Sequence, residues 1–455
     1  MVARRIVDNL TPGWQQIGAV WLPLPHLLSA VPAQADILYR TGAFASLVSI
    51  ACLGITTYAS ARLVILATGS PLAGTVSAAL LVLNPNLLYL HVTPMTEPLL
   101  LASLALVVLW LSEWVPLNED AVPPRLGVAL FAAAWTRYEA WAVIAAALAL
   151  ALYGASRTGA SRSALVRRAW RLAVWPCAAV AVFLAMSRFT VGTWFVTDGF
   201  YVPDPFYQGL IGRSLLAVWW GTHQLSTRAT EAVALATAAL VIARAVARRA
   251  NPALLVPLAL FASAALPAYA FYLGHPFRIR YMIPLVAACA VFGGLTVGLM
   301  RRRAGIVMAA ILTGLTLLQS PPWRQDAPML VEAQVDRPAR DGRRGVTACL
   351  APVYGGEKIL ASMGSLAHYM QELSHEGLAI ADFVHEGNGN IWELAMETGP
   401  RPHAGWMLTE EAAEGGDILA RRIRRDPGFA RGMERVCEGG GVALYRATIQ
   451  TSSRP

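Results

Sequence analysis

The amino-acid sequence predicts a mostly α-helical, polytopic transmembrane bundle followed by a soluble C-terminal α/β domain. Hydrophobic residues make up 56% of the 455 residues and charged residues only 14%, whereas a soluble domain carries about 25% charged residues. Long apolar stretches run as far as Leu318, and after Pro321 the composition becomes polar and mixed. These observations exclude an ordinary water-soluble fold for most of the chain.

The membrane region is predicted from its apolar stretches. About 20 consecutive apolar residues form a helix that crosses a hydrocarbon core roughly 30 Å thick. The segments that meet this expectation are Thr41–Leu66, Pro71–Leu90, Pro98–Trp114, Leu172–Thr190, Ala232–Ala247, Ala253–Leu273, Tyr281–Met300 and Gly305–Leu318. A further stretch, Leu126–Tyr153, is split by Arg137, Tyr138 and Glu139 into pieces of roughly 12 and 14 residues, and neither should span comfortably. We therefore expect about 8–10 helices.

The arginines predict the orientation of the chain. The net charge of +9 arises from 37 basic residues, and in a membrane protein such an excess indicates cytoplasmic loops rather than nucleic-acid binding. Arginines cluster in three loops, which should be cytoplasmic: Arg157 to Arg171, Arg244 to Arg249 (including Arg248) and Arg301 to Arg303. Alternation of the helices then places the tail after Leu318 outside the cytoplasm. The expected location is a bacterial-type cytoplasmic membrane.

Three regions follow from this assignment. Residues 1–40 should form an extracytoplasmic interfacial segment, because Thr11-Pro12-Gly13 and Trp21 to Leu28 are amphipathic and too short to span. Residues 41–319 should form the transmembrane core, and residues 320–455 an extracytoplasmic α/β domain. In that domain we predict helices at Ser365–Leu373, Asn390–Met396 and Asp417–Ile423.

Short apolar runs alternate with these helical stretches, as expected of an α/β domain. The runs are Val346–Leu350, Leu378–Phe383 and Trp406–Leu408. Gly439-Gly440-Gly441 should turn a closing hairpin. Outside the cytoplasm Cys349 and Cys437 could form a disulfide, but their spacing does not decide this.

Ionisable groups inside apolar segments are costly and mark candidate functional sites. The first group is Arg137, Tyr138 and Glu139, where two short helical pieces meet. Such broken helices are tolerated where they line protein or a water-filled cavity. Two interpretations remain open, namely a ligand-facing group or a structural Arg137–Glu139 ion pair that closes a tight turn.

Two further groups lie at predicted outer helix ends. Glu97 follows Thr96, which suits an N-cap, so Glu97 is either a carboxylate placed against the helix dipole or a catalytic or substrate-binding group. Arg278 and Arg280 lie in an outer loop, against the positive-inside trend. They indicate either phosphate binding or snorkelling of Arg280 beside Tyr281.

These motifs together resemble the GT-C superfamily of membrane glycosyltransferases, closest to the family 39 type with protein O-mannosyltransferases and lipid A aminoarabinose transferases. The match runs over Ala3 to Asp8, the Thr-Pro-Gly segment, the Trp-Leu-Pro-Leu-Pro-His segment that ends at His26, Thr96-Glu97-Pro98, Arg137-Tyr138-Glu139 and Arg278 to Tyr281. It covers the membrane part to about Met300. The resemblance implies a polyprenyl-phosphate sugar donor, inverting transfer outside the cytoplasmic membrane and a C-terminal extracytoplasmic domain.

The chain departs from the family pattern at its start. Proteins of this kind usually begin with an additional transmembrane helix, followed by an acidic motif in the first outer loop that supplies the catalytic carboxylate. This sequence starts just after that point. We expect a start placed too far downstream. The alternatives are a truncated, inactive relative, or a chain in which Glu97 or Asp8 has taken over the catalytic role.

An inverting transfer requires a base for the acceptor hydroxyl group and positive charge near the departing phosphate. Glu97 is the first candidate for the base and Asp8 the second. The predicted substrate-binding residues are Arg137, Tyr138, Glu139, Arg278, Arg280, Tyr281 and His26. The expected partners are a polyprenyl-phosphate sugar, membrane lipid and a glycan, lipid or protein acceptor, with no nucleic acid.

A divalent metal ion is compatible with this chemistry, although no ligand cluster in the sequence requires one. Two other functions compete with sugar transfer. A transporter or lipid flippase would also use buried charges at a broken helix. A non-catalytic cell-envelope scaffold would need no catalytic carboxylate.

Overall fold

In the computed structural model, which describes residues 1–18, 20–117, 119–195, 203–247 and 254–448, helices form the chain up to Gln319 and a mixed sheet follows. The helices of the first part are α1 (Leu24–Ser29), α2 (Asp36–Thr41), α3 (Ala43–Thr68), α4 (Pro71–Val82), α5 (Pro85–His91), α6 (Glu97–Trp114), α7 (Pro124–Ala134), α8 (Glu139–Arg157), α9 (Arg162–Val191), α10 (Ile211–Leu225), α11 (Arg228–Val246), α12 (Ala265–Tyr272), α13 (Ile283–Leu299) and α14 (Arg302–Gln319). Arg248 and Arg249, which the predicted orientation uses, lie outside the described residues.

Within the described residues, six helices are long and apolar enough to cross a membrane. They are Ala43–Thr68, Glu97–Leu117, Glu139–Arg157, Arg162–Val191, Arg228–Val246 and Ile279–Leu299. The bent pair α4 and α5 would make a seventh span. The chain is therefore a multi-pass membrane protein by helix length and composition, as predicted. The described residues hold six or seven such spans rather than about 8–10, and the predicted spans Ala253–Leu273 and Gly305–Leu318 are not among them.

Some predicted spans differ from the observed helices. The expected single helix Pro71–Leu90 is bent by 69° between α4 and α5. The side chain of Asn84 accepts hydrogen bonds from the backbone N–H groups of Asn86 and Leu87, and Pro85 has no N–H group to continue the preceding helix. A new helix therefore starts at this point.

The split stretch between α7 and α8 also differs from its prediction. We expected neither piece to span, but α8 continues to Arg157 and has 19 residues, which corresponds to about 28 Å. The expectation is thus wrong for the second piece, whereas α7 has only 11 residues. The predicted span Ala253–Leu273 contains a 3-10 helix, Val256–Ala264, followed by α12.

Helix α13 lies at the centre of the bundle. Of the residues in the most apolar part of the segment Ile279–Leu299, 89% are buried, as expected of a helix that is hydrophobic on all sides. A Cβ atom at Gly294 would lie 2.7 Å from the carbonyl oxygen of Ala73 and 2.8 Å from the Cβ atom of Ser77. The small residue therefore permits close packing between α13 and α4.

The N-terminal segment packs against the C-terminal region. Tyr39 belongs to the hydrophobic core of that region, and Nη2 of Arg40 donates to the carbonyl oxygen of Ser374 at 2.7 Å. Nδ2 of Asn388 donates to Oδ1 of Asn9 at 2.7 Å. These contacts fix residues 1–40 on the C-terminal region, and their position on a membrane surface stays a prediction.

A five-stranded sheet forms the centre of the C-terminal region, in the order β2-β1-β3-β5-β4. The strands are β1 (Ile359–Ala361), β2 (Phe383–Val384), β3 (Trp406–Glu410), β4 (Met433–Gly439) and β5 (Val442–Ala447), and the helices are α15 (Pro328–Gln334), α16 (Arg340–Leu350), α17 (Met363–Leu373), α18 (Asn390–Thr398) and α19 (Ile418–Arg425). Strand β1 is parallel to β2 and β3, whereas β5 is antiparallel to β3 and β4. The hairpin predicted at the three glycines is confirmed.

Alternate strand residues face two separate cores, as the period of two of a β-strand requires. Ile359 and Trp406 pack with α16 and α17, whereas Leu360 and Met407 pack with α18 and α19. The C-terminal region is therefore an α/β unit with helices on both faces of the sheet.

The apolar run Val346–Leu350 lies in helix α16 rather than in a strand. Cys349 of α16 and Cys437 of β4 form a disulfide, with their Cα atoms 6.6 Å apart.

Candidate functional site

Three breaks in the helical bundle meet at one place. They are the start of α6 at Glu97, the break between α7 and α8 at residues 135–138, and the 3-10 helix Ile279–Met282 before α13. Each break carries one of the charged groups that the sequence predicted. We call Glu97, Arg137, Glu139, Arg280 and Tyr281 the Glu97 cluster.

The break between α7 and α8 is held by side chains that satisfy free backbone carbonyls. The indole Nε1 of Trp141 donates to the carbonyl oxygen of Ala134 at 2.9 Å, and the hydroxyl group of Thr136 donates to that of Ala132 at 2.7 Å. The backbone N–H of Leu24 donates to the carbonyl oxygen of Trp135 at 3.1 Å. These bonds replace those that a continuous helix would make.

Arg137 connects the three helix ends through its guanidinium group. It contacts Glu139 through Nε and Nη2, the latter 2.6 Å from Oε1. Its Nη1 atom lies 3.1 Å from Oε1 of Glu97 and donates to the hydroxyl oxygen of Thr96 at 2.8 Å. The structural ion pair that we considered for Arg137 and Glu139 is thus present, and it extends to Glu97.

Thr96 does not cap α6 with its side chain, although its position suggested that role. Its hydroxyl oxygen instead accepts the hydrogen bond from Arg137. This partner is not predictable from the sequence, because a threonine before a helix usually accepts a hydrogen bond from the backbone of that helix.

Glu97 is the most unusual member of the cluster. It is only 1% exposed, and neither carboxylate oxygen makes a hydrogen bond within the described residues. The Nε atom of Arg280 lies 3.6 Å from Oε1, which is too long for a hydrogen bond. A buried carboxylate with unused acceptor positions costs free energy and therefore requires an explanation.

Arg280 and Tyr281 form the third side of the cluster. The Tyr281 ring lies 5.9 Å from Cζ of Arg137 and 6.0 Å from Cζ of Arg280, within the range of cation–π contacts. The hydroxyl group of Tyr281 lies 3.3 Å from Nε2 of His275. The side chain of Arg280 is 33% exposed and its Nε atom has no hydrogen-bond partner in the described chain, so Arg280 is the arginine of the cluster best placed to meet a ligand.

A cavity of about 300 Å³ reaches Thr96, the neighbour of Glu97 in the chain, but no member of the Glu97 cluster itself lines it. Its lining includes Thr96 and Leu99 of the α6 region and His26 of the N-terminal segment. Burial and the nearby Arg5 guanidinium group lower the pKa of His26 to about 3, so its imidazole is neutral at pH 7. The lining is mainly apolar and suits a lipid chain or a sugar ring better than a free ion.

The remaining predicted residues lie elsewhere or face other partners. The carboxylate of Asp8 forms an ion pair with Arg4 at 2.9 Å and accepts a hydrogen bond from the backbone N–H of Ala381 at 3.1 Å. Within the described chain no hydrogen bond or ion pair joins it to Glu97, and its contacts fix the N-terminal segment to the sheet. The hydroxyl group of Tyr138 donates to the carbonyl oxygen of Val20 at 2.8 Å. Arg278 is partly buried in the loop before the cluster.

Another buried carboxylate in the helical bundle was not predicted from the sequence. Glu231, 5% exposed, lies in the first turn of α11 and contacts His223. A glutamate at the start of a long apolar helix is the same signal that identified Glu97. No group of three or more histidine, cysteine, aspartate or glutamate side chains that could hold a metal ion occurs in the described residues. Comparison with protein-family models and with curated protein sequences finds no match.

Proposed function

We propose that the protein is an inverting membrane glycosyltransferase of the GT-C type, which moves a sugar from a polyprenyl-phosphate donor to an extracytoplasmic acceptor. The observation that carries the proposal is the buried Glu97 carboxylate, which has unused acceptor positions and lies between two arginines, one residue along the chain from Thr96 at the cavity wall. The proposed location is a bacterial-type cytoplasmic membrane, with the C-terminal region outside the cytoplasm.

In the proposed reaction Glu97 acts as the base. A hydroxyl oxygen of the acceptor forms a bond to the anomeric carbon while the bond from that carbon to the donor phosphate breaks. The hydroxyl proton passes to Glu97, and the electron pair of the broken bond leaves with the polyprenyl phosphate. A single displacement of this kind inverts the anomeric configuration.

The charges of the cluster match the charges of this reaction. The two arginines, Arg137 and Arg280, balance the two carboxylates, Glu97 and Glu139, before transfer. Protonation of Glu97 leaves one positive charge in excess, which complements the phosphate that has just departed. Arg280 would contact the phosphate, because Arg137 is already bound to Glu139 and Thr96 and serves to position Glu97.

The bent pair α4 and α5 favours a second candidate function, a transporter or lipid flippase. Broken helices in the middle of a membrane protein often surround a transported ligand. A transporter would move a labelled polyprenyl-phosphate sugar across a vesicle membrane without breaking its glycosidic bond.

The experiment that tests the proposal measures sugar transfer in membranes from a radiolabelled polyprenyl-phosphate donor pool. It compares the wild type with Glu97→Gln and with Glu113→Gln, the matched control at the other end of helix α6. We expect transfer by the wild type and by the control, and loss of transfer in Glu97→Gln. Transport of the intact donor without transfer would favour the transporter, and equal activity of all three proteins would contradict the role of Glu97.

A further inference from the structure

A second cavity, of about 380 Å³, lies between the end of α10, the start of α11 and the end of α14. Every residue that lines it has a polar side chain, and the lining includes His223, Arg228, Ser320 and Arg324. We call it the His223 cavity. It shares no lining residue with the Glu97 cluster, so its interpretation does not depend on sugar transfer.

Hydrogen bonds that lead back to the buried Glu231 hold the exposed Arg228 side chain in a defined orientation at this cavity. Nδ1 of His223 lies 3.2 Å from Oε2 of Glu231, and Nε of Arg228 donates to Nε2 of His223 at 2.9 Å. Because a guanidinium N–H group can only donate, Nε2 of His223 accepts and the imidazole proton resides on Nδ1. Glu231 and His223 therefore position Arg228 through Nε. Its terminal amino groups make no hydrogen bond to the described residues, so they can contact a ligand.

Ser320 provides an independent indication of a ligand. It is 4% exposed and lines the cavity, but its hydroxyl group has no hydrogen-bond partner within the described residues. A buried hydroxyl group without a partner costs free energy unless a bound molecule or ion supplies one. An acceptor atom in the cavity would satisfy it.

The start of α11 also lies at the cavity, and the Glu231 carboxylate of its first turn is held by His223. Thr227 and Arg228 of this helix start line the cavity, and the N-terminal end of a helix favours anions through its free N–H groups and its dipole. Thr227 has φ 128° and ψ 149°, a conformation that a β-branched residue rarely adopts. The backbone of Thr227 is therefore held in an unfavourable conformation at the cavity wall.

We propose that the His223 cavity binds a phosphate group, either as inorganic phosphate or as the headgroup of a phospholipid. Such a group offers several acceptor oxygens and negative charge, and the cavity offers the Arg228 guanidinium group, the Ser320 hydroxyl group and a helix N-terminus. Arg324 also lines the cavity, but it already binds both carboxylate oxygens of Asp326, at 2.9 and 3.0 Å. Arg228 is therefore the main binding residue, and His223 and Glu231 are positioning residues.

The first arm of the test uses inorganic phosphate. Purified full-length protein in detergent is titrated with phosphate by calorimetry, with chloride at equal ionic strength as the reference. The variants are Arg228→Gln and Ser320→Ala, and the matched control is Arg213→Gln, which removes an exposed arginine on α10 outside the cavity. We expect the control to bind as the wild type does and Arg228→Gln to bind about tenfold more weakly or worse.

The second arm uses lipid. Delipidated protein is incubated with phosphatidylglycerol or with diacylglycerol, which lacks the phosphate, and retained lipid is measured by native mass spectrometry. Retention of phosphatidylglycerol alone, lost in Arg228→Gln, would identify the headgroup as the source, whereas calorimetric binding without lipid retention would identify free phosphate. If Arg228→Gln does not fold, Ser320→Ala, which removes a single oxygen atom, replaces it as the test variant. Absence of both kinds of binding in the wild type, or equal binding in the cavity variants and the control, would overturn the proposal.

Discussion

Helix α6 carries a glutamate near each end, and each glutamate pairs with arginines. At one end Glu97 lies 3.1 Å from Arg137, and at the other Glu113 lies 3.0 Å from Arg125. The surroundings differ, because Glu97 is 1% exposed and has no hydrogen bond in the described chain, whereas the side chain of Glu113 is 23% exposed and accepts a hydrogen bond from Arg125.

A glutamate that pairs with arginine has a different energetic effect at each end of α6. An exposed ion pair contributes about 0–1 kcal/mol and anchors a helix end at little cost. A buried carboxylate whose acceptors are not used reduces stability, so a protein retains it mainly where it has a function. We therefore infer a structural role for the Glu113 end and a chemical role for the Glu97 end.

The largest expected difference concerns stability. Arg137→Gln would leave Glu97 and Glu139 buried without their common cation, and we expect a loss of about 3–5 kcal/mol in the free energy of unfolding. Arg125→Gln at the exposed end should cost about 0–1 kcal/mol. Denaturant unfolding in detergent measures both values. Similar losses at the two ends would contradict the different roles inferred for Glu97 and Glu113.

A double-mutant cycle sharpens the same comparison. Glu97→Gln combined with Arg137→Gln should show a coupling free energy of about 0.5–3 kcal/mol, because Glu97→Gln removes the charge that Arg137→Gln leaves without its nearest cation. The matching cycle of Glu113→Gln and Arg125→Gln should show less than about 0.5 kcal/mol. Unfolding of the four single variants, the two double variants and the wild type provides both cycles, and a larger coupling at the exposed end would contradict the assignment.

The smallest expected effect is a change in KM when Arg280 is substituted. Arg280→Gln should raise KM for the polyprenyl-phosphate donor about tenfold, because one charge-assisted contact to the phosphate is lost. Arg62→Gln is the matched control, since Arg62 lies 3.9 Å from Glu113 at the opposite end of α6. An unchanged KM in Arg280→Gln would place the donor phosphate elsewhere.

The sequence predicted the apolar helices and the charged groups well, because bilayer thickness and the cost of buried charge act on local composition. Glu97, Arg137 and Arg280 were each identified from their immediate surroundings. Their meeting at one cluster follows from how α6, α8 and α13 pack, and local patterns do not contain that information.

The errors have physical causes as well. The end of α8 was placed at Tyr153 because the apolar character falls there, but helical hydrogen bonds continue to Arg157. Asp8 resembled a candidate base in the sequence, although its partner Arg4 lies only four residues away. Its contact with Ala381 joins residues far apart in the chain, so local patterns do not predict it. Polar side chains that satisfy distant backbone groups are not recognisable from spacing alone.

The most direct test of the central claim measures donor binding and sugar transfer on the same preparation of Glu97→Gln. If Glu97 is the base, the affinity for the polyprenyl-phosphate donor should stay within about threefold of the wild-type value, while the transfer rate falls by about 100- to 10,000-fold. Transfer at the wild-type rate, or a loss of transfer fully explained by weaker donor binding, would contradict the account.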